Sequence, residues 1–287
     1  LSATVKLFAP IPYREDDFLP ELPEVETTKR GIRPYLEGVS IVSILVRNPN
    51  LRWPVSKEIN EISSQRVLTV HRRAKYIIIT LEKGSILVHL GMSGSLRVLT
   101  ERVAMLKHDH IEMVLDSGNL IRFNDPRRFG CLLWTTDWPT HKLIHHLGPE
   151  PLTNTFSVDY LYALSRARNT SIKQLIMDSR VVVGVGNIYA NEALFLSRIH
   201  PKRAANRISK KRLGTLVDNI RDVLSEAINQ GGTTLRDFVG SDGNPGYFKQ
   251  QLFVYGRKGQ ACKCCANELK QIRQNGRSTV YCSYCQK

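Results

Sequence analysis

No apolar run in this chain approaches the ~18 residues that a membrane-spanning helix requires. Internal repeats and low-complexity tracts are missing too, so solenoids and compositional linkers do not apply. Residues 1–19 have only a short apolar part and no small-residue cleavage site, and they are neither arginine-rich nor acid-poor. They read as neither a secretory signal nor an organelle address. Cysteine is scarce, at six residues, and without a secretory signal it argues for metal or reduced thiols over a disulfide scaffold. Acidic side chains are the charge in short supply: 26 Asp and Glu stand against 41 Lys and Arg, a formal net charge of +15. Lys6 and Arg14 against Glu15, Asp16 and Asp17 give residues 1–19 a charge of −1, which leaves +16 on residues 20–287. An excess of that size points to a polyanionic partner, most simply nucleic acid. Charge kept for solubility is the competing explanation.

What is present divides into recognisable stretches. With 287 residues, 42% of them hydrophobic, the chain can form two domains with real cores. Residues 1–19 hold Pro10, Pro12 and an acidic triplet without helical or strand period, and are expected to be disordered. Pro23 to Tyr35 is predicted as a helix. Pro23 suits the first turn, Glu24 and Glu26 favour the positive end, Lys29, Arg30 and Arg33 favour the negative end, and Pro34 and Gly38 close it. Strands are predicted at 39–46, 67–70, 76–81, 86–90, 111–115, 120–123 and 131–135, with Asp116-Ser117-Gly118-Asn119 as a hairpin turn. So many short strands suggest a β-sandwich. Gly148-Pro149-Glu150-Pro151 is a plausible linker, and beyond it the period becomes helical at 158–168, 171–177, 187–197 and 209–230, where Gly231-Gly232 is a natural stop.

Cys262-x2-Cys265 and Cys282-x2-Cys285, sixteen residues apart, fit a four-thiolate zinc site in which two short knuckles surround one tetrahedral centre. Cys264 lies inside the first knuckle and can compete as a ligand. Cys131, in Cys131-Leu132-Leu133-Trp134, reads as a small buried residue. The basic, cysteine-bearing tail suits a β-ribbon folded around metal. Gly184-Val185-Gly186 is not a nucleotide-cofactor fingerprint, because a preceding strand and the third glycine are missing.

Pro20-Glu21-Leu22-Pro23-Glu24-Val25-Glu26 raises a chemical question. Inside a chain a proline nitrogen is a tertiary amide. At a chain's first position it is a secondary amine that can attack an aldehyde-like sugar carbon and form an iminium ion. Taken alone, Pro20 and Pro23 merely frame a helix start, and Glu21 partners the helix dipole.

PELPEVET (20–27), RRAKY (72–76), HLGMSGSL (89–96), KHDH (107–110), DPRRFG (125–130), GPEPL (148–152), VVGVGNIYA (182–190), QGGTTLRDF (230–238), SDGNPGYF (241–248), YGRKG (255–259) and the cysteine knuckles together resemble bacterial formamidopyrimidine-DNA glycosylase, the base-excision family for oxidised guanine. The resemblance covers essentially everything from residue 20 onward. It implies an α+β multidomain protein: an N-terminal β-sandwich with flanking helices (20–150), a helix–two-turn–helix DNA-binding domain with a lesion-capping loop (151–245), and a zinc-binding β-ribbon (246–287). Residues 1–19 would be a non-native or mis-assigned extension.

For the site, the resemblance implies Pro20 as nucleophile at the deoxyribose C1′. The positive helix end would disfavour protonation of its amine. It also implies Glu21 as proton shuttle, Lys75 between damaged base and phosphate with a proton-transfer role, and Arg277 at the ribbon tip gripping phosphates and assisting the second elimination. Met92, Arg127 and Phe129 would enter the hole left by a flipped nucleotide, with Arg127 reading the opposite cytosine. His108, Arg168, Lys173 and Asn187 match backbone-contacting positions, and the turn before Asn187 is expected to present free amides to phosphate.

The expected activity is excision of 8-oxoguanine and formamidopyrimidines followed by β,δ-elimination. The expected protein is a cytoplasmic, nucleoid-associated monomer acting on damaged double-stranded DNA, with one structural zinc and no nucleotide cofactor. Leu19 stands where the family has its initiating methionine, so the functional polypeptide is expected to begin at Pro20. Two rivals remain: the sister family that prefers oxidised pyrimidines, disfavoured by Leu22 and the long Ser241–Phe248 loop, and a catalytically silent DNA binder with a blocked Pro20.

Overall fold

The computed structural model describes residues 20–231 and 252–287. The expected disorder of 1–19, the stop at Gly232 and the Ser241–Phe248 loop lie outside the described residues. Helix α1 spans Leu22–Leu36. Strands β1 (Ser40–Val46), β2 (Gln65–Arg73), β3 (Tyr76–Leu81), β4 (Gly84–His89), β5 (Ser95–Leu99), β6 (Asp109–Leu115), β7 (Leu120–Asn124) and β8 (Cys131–Thr135) follow, with a 3-10 turn at Lys57–Glu61. They are hydrogen-bonded in the order β5-β7-β6-β1-β2-β3-β4-β8. Only Ser40↔Arg66 and Ile41↔Gln65 join β1 to β2, so the strands divide there into two four-stranded layers of a sandwich. One core lies between them, with Ile41, Ile111, Met113 and Ile121 from one layer meeting Val67, Ile77, Ile79, Ile86 and Val88 from the other.

In β3 the run Ile77-Ile78-Ile79 is buried throughout. Successive side chains of a strand point to opposite faces, so an unbroken apolar run requires both faces to be covered. Ile77 and Ile79 face the sandwich core. Ile78 packs on the other side with Leu87, Cys131, Leu133 and Ile144. Cys131 is the small buried residue expected, its thiol pushed up by burial to about 12.

Helix α1 serves two cores. Val25, Ile32 and Leu36 enter the sandwich, whereas Leu22 enters the core of the helical region. The start of α1 therefore sits where the two meet. Pro34 does not close this helix as the sequence suggested. In the last turn it removes one intrahelical donor, while buried Leu36 and the Glu37 N–H bond to Arg33 O (3.0 Å) hold the turn. Gly38, at φ +81°, ends it.

The helical region comprises α2 (Val158–Arg166), α3 (Ile172–Met177), α4 (Asn187–Leu196) and α5 (Lys210–Asn229). Ser157, Ser171 and Ser209 cap α2, α3 and α5 through their hydroxyls, as N-cap chemistry favours. Helix α4 is buried on nearly every side, which suits its apolar sequence. The ribbon β9 (Lys270–Gln274) and β10 (Arg277–Tyr281) turns at Asn275-Gly276, both at positive φ (47° and 77°), the backbone a tight hairpin needs. Among the described residues no helix is long and apolar enough to cross a membrane.

Candidate active site

Four pieces of chain meet at the start of α1. Glu21 precedes the helix in extended conformation and is 1% exposed. Its carboxylate reaches the N-terminus of α4, where Oε2 accepts the Gly186 N–H (2.8 Å) and Oε1 the Ile188 N–H (3.0 Å). A Cβ on Gly186 would lie 2.1 Å from the Glu21 carboxyl carbon, so only glycine permits this approach. The expectation that the α4 turn offers free amides to phosphate is corrected here: Glu21 occupies two of them. Burial pushes the Glu21 carboxyl up to about 7. The Lys75 charge opposes this rise, the neighbouring Glu24 adds to it, and the two amides pull it down. Burial outweighs the stabilisers of the charged form and leaves a carboxyl able to give and take protons near neutrality.

Glu24 is held differently. Its Oε2 accepts the Glu21 N–H (2.9 Å) and its Oε1 the Tyr189 O–H (2.8 Å). Glu26 pairs with Lys29, Arg30 and Arg72. Glu24 thus caps the helix start, whereas Glu26, read as a dipole partner, ties α1 to β2 through Arg72.

Lys75 lies in the β2–β3 connection, after Ala74 at φ +55°. Burial lowers its pKa, Glu21 and Glu24 hold it up, and Arg277 pushes it down. Glu150, in the segment joining sandwich to helices, clamps this turn. Its Oε1 accepts the Ala74 N–H (2.7 Å) and Arg73 Nη1 (3.0 Å), and its Oε2 accepts Arg72 Nη1 (2.7 Å). Arg277 is exposed as the first residue of β10 and acts electrostatically on both Lys75 and Lys173.

Sequence reasoning passed over His89, the register partner of Tyr76. Burial, then the Lys75 and Arg52 charges, push it down to about 4. Its Nδ1 accepts the Gly91 N–H (2.9 Å), so the neutral ring carries its proton on Nε2. Its place at the end of a strand paired beside Lys75 was the available signal.

Lys173, which the resemblance places among the backbone-contacting positions, is drawn into the protein. It is 2% exposed, and Nζ donates to Asn187 Oδ1 (2.7 Å), Thr279 Oγ1 (2.7 Å) and Ser278 O (3.2 Å). An ammonium has three donors, and all three are used. Burial pushes it down to about 7, and the repulsion of Arg277 adds to this against the attraction of Glu21. In this arrangement Lys173 pins α3 to α4 and to the ribbon, and does not reach outward. Asn187 opens α4 as expected, with its Oδ1 taken by Lys173.

The remaining sites lie on the surface. Phe129 is 42% exposed, and the Arg127 guanidinium sits 5.3 Å from its ring centroid. Met92 is half-buried in the neighbouring Gly91–Gly94 turn, and half-buried His108 borders His110. Arg168 is half-buried, its guanidinium 3.3 Å from the Asp178 carboxylate. Pro20 is buried immediately before Glu21.

The Sγ atoms of Cys262, Cys265, Cys282 and Cys285 all lie within 4.8 Å of one another, with Cys262–Cys285 at 3.9 Å and Cys265–Cys282 at 3.5 Å. Four thiolates about 2.3 Å from a tetrahedral zinc would stand about 3.8 Å apart, so the donor set fits a structural metal. Cys264 is exposed and outside the cluster.

The family model described as the formamidopyrimidine-DNA glycosylase N-terminal domain matches residues 19–132, and that of the formamidopyrimidine-DNA glycosylase H2TH domain matches 147–239. A formamidopyrimidine-DNA glycosylase of Marinobacter nauticus is 58% identical over 270 residues, covering 94% of this chain and 100% of that protein. The crystal structure of the MutM (Fpg) protein from Thermus thermophilus superposes with a TM-score of 0.83 at 36% identity, covering 93% of this chain and 98% of that one. The Lactococcus lactis Fpg in complex with an abasic site containing DNA does so with a TM-score of 0.86 at 30% identity, over 93% and 100% of the two chains. A sandwich joined to a helical region by one shared helix, a buried carboxyl facing a lysine, a four-cysteine ribbon and these matches along nearly the whole chain agree: the chain belongs to the formamidopyrimidine-DNA glycosylase family.

Proposed function

We propose that this DNA-repair glycosylase is bifunctional, excising oxidised purines and then cutting the strand at the abasic site. A mutant of Lactococcus lactis Fpg has been crystallised with a Fapy-dG containing DNA and Lactococcus lactis Fpg with an abasic site containing DNA, and we carry both ligand classes over to this chain. The observation that carries the reading is the Glu21 carboxyl. It is buried beside Lys75, with its pKa pushed up to about 7, directly after Pro20.

The polypeptide that acts begins at Pro20, so that its nitrogen is a secondary amine. The amine attacks C1′ of the damaged nucleoside, the base departs with its bonding electrons, the attached nitrogen loses its proton, and its lone pair then forms the iminium as the C1′–O4′ bond breaks. Glu21 donates to the sugar ring oxygen as the ring opens. Lys75 and Glu21 then manage the protons of β-elimination, which breaks the C3′–O bond, and of δ-elimination, which breaks the C5′–O bond. Arg277, exposed at the ribbon tip, grips the flanking phosphate. A zinc held by Cys262, Cys265, Cys282 and Cys285 supplies folding free energy to the ribbon and no step of the reaction. Met92, Arg127 and Phe129 fill the vacated stack, while His108, Arg168 and Asn187 support the backbone. Lys173 supports it through Asn187.

The protein works as a cytoplasmic monomer on damaged duplex DNA without a nucleotide cofactor. Parallel assays on duplexes holding 8-oxoguanine or thymine glycol test the purine reading. Faster excision of 8-oxoguanine is expected, and the reverse order would assign the chain to pyrimidine lesions.

A further inference from the structure

The N-terminal-domain positions proposed to meet DNA converge on one residue that cannot touch it. Asp125 is 0% exposed. Its Oδ1 accepts the Ser93 O–H (2.7 Å) and its Oδ2 accepts the Gly130 N–H (2.8 Å). Ser93 Oγ in turn accepts the Arg127 N–H (3.1 Å). The segment Arg127–Gly130 is thus gripped at both ends by one carboxylate and one hydroxyl, and that hydroxyl belongs to the turn that carries Met92.

The main chain of Asp125 adds further ties. Its N–H donates to His108 O (3.0 Å), and its carbonyl accepts the Arg128 N–H (3.2 Å) and faces His110 Nε2 (2.9 Å). The two surface turns also touch directly: a Cβ on Gly91 would fall 2.4 Å from Phe129 C and Gly130 N. Between the proposed base reader and the aromatic wedge, Arg128 holds φ +57°. A non-glycine residue persists in that region only when its surroundings impose it, and here its own N–H is held by the Asp125 carbonyl while Ser93 and Asp125 hold Arg127 and Gly130 on either side.

We infer that Asp125 is a positioning residue for opposite-base discrimination, acting through Ser93 and Gly130 to hold Arg127 and Phe129 at a fixed offset from Met92. The inference rests on the reading of Arg127 as the group that meets the opposite base. A bidentate base contact loses its selectivity when its donor is displaced by a fraction of its length, so loosening the turn costs discrimination before it costs chemistry.

The test compares binding of a lesion duplex with cytosine or adenine opposite, and single-turnover excision at saturating enzyme, for Asp125→Asn, Ser93→Ala, Ser93→Thr and Arg127→Ala. An asparagine at 125 cannot accept from both Ser93 and Gly130 and keeps the volume. We expect its preference for cytosine to fall about tenfold, a loss within the range of one base contact, with a smaller fall in the saturated rate opposite cytosine. Ser93→Ala should fall in the same direction and Ser93→Thr, which keeps the hydroxyl, should recover most of it. Combining Asp125→Asn with Ser93→Ala should be no worse than Asp125→Asn alone, because both changes cut one chain of bonds. An unchanged preference in Asp125→Asn overturns the inference, as does an equal loss opposite both bases. If Asp125→Asn does not fold, an unchanged preference in Ser93→Ala overturns it. A preference unchanged in Arg127→Ala would instead remove the reading on which the inference stands.

Discussion

The two functional regions of this molecule are built on opposite principles. Around Glu21, Lys75 and the α4 terminus, side chains are withdrawn from water, and the consequence is electrostatic: a carboxyl pushed up to about 7 and lysines pushed down. Arg127 and Phe129, beside half-buried Met92, are exposed, and the work beneath them is mechanical: hydrogen bonds and a left-handed Arg128 fix their positions. Proton transfer needs perturbed affinities, which burial supplies. Entering a base stack needs reach, which burial would forbid. The fold thus gives the two tasks to side chains of opposite exposure.

The sharpest way to break this comparison is to remove the buried carboxyl. Glu21→Gln should lower single-turnover excision by about 10²–10⁴-fold, the usual worth of a positioned proton donor. In the parent enzyme the rate should decline as pH rises through about 7, where the Glu21 proton is lost, and this limb should be absent from the variant. Stability carries the same signature with a definite sign. A carboxyl whose folded pKa is raised from 4.5 to about 7 contributes stability that is complete below 4.5 and lost as pH rises through 7. Glu21→Gln should therefore gain on the parent between pH 4.5 and 7 by up to about 3 kcal/mol, measured by denaturant unfolding. A constant difference across that window would contradict the burial account.

Metal removal comes next in size. Cys282→Ser should lower zinc content and weaken DNA binding, because the ribbon that presents Arg277 loses its folding energy. Full zinc occupancy by elemental analysis in that variant would count against the ligand set.

How much of this was legible in the sequence follows from how local each cause is. The predicted limits of β3 and β8 coincide with the observed ones because continuous apolar runs bounded by polar residues specify them. Strand β5 was missed: Ser95-Leu96-Arg97-Val98-Leu99 is interrupted by Arg97 at its centre, and its pairing with β7 leaves no mark in its own sequence. The cysteine site was readable from spacing alone. The partners of Glu21 were not, because backbone amides 165 and 167 residues away leave no mark in the side-chain pattern. The surroundings of Lys173 were hidden for a related reason. Its neighbours Ile172 and Gln174 say nothing of its partners, which Thr279 and Ser278 of β10 supply only when the ribbon docks.

At the exposed pole, Phe129→Ala should weaken lesion-duplex binding by about 1–3 kcal/mol, a stacking-sized loss, while leaving the stability of the free protein nearly unchanged, since the ring is 42% exposed. Titration of a fluorescent lesion duplex checks the first part and thermal unfolding the second. A large drop in stability would mean that the ring is core and not wedge. The smallest effect per residue is the most distributed. The +16 carried by residues 20–287 should give a salt dependence with a log–log slope of about −0.9 per phosphate contacted. A nearly flat response would detach the charge from DNA binding.

The central claim is that Pro20 attacks the sugar as a free amine. Borohydride reduction of the enzyme–DNA intermediate measures it most directly, applied to a form verified by mass to begin at Pro20 and to the intact 287-residue chain. The form beginning at Pro20 should become covalently joined to lesion DNA, and the intact chain, whose Pro20 nitrogen is an amide, should bind the same duplex without being trapped. Efficient trapping of the verified intact chain would show that another group is the nucleophile.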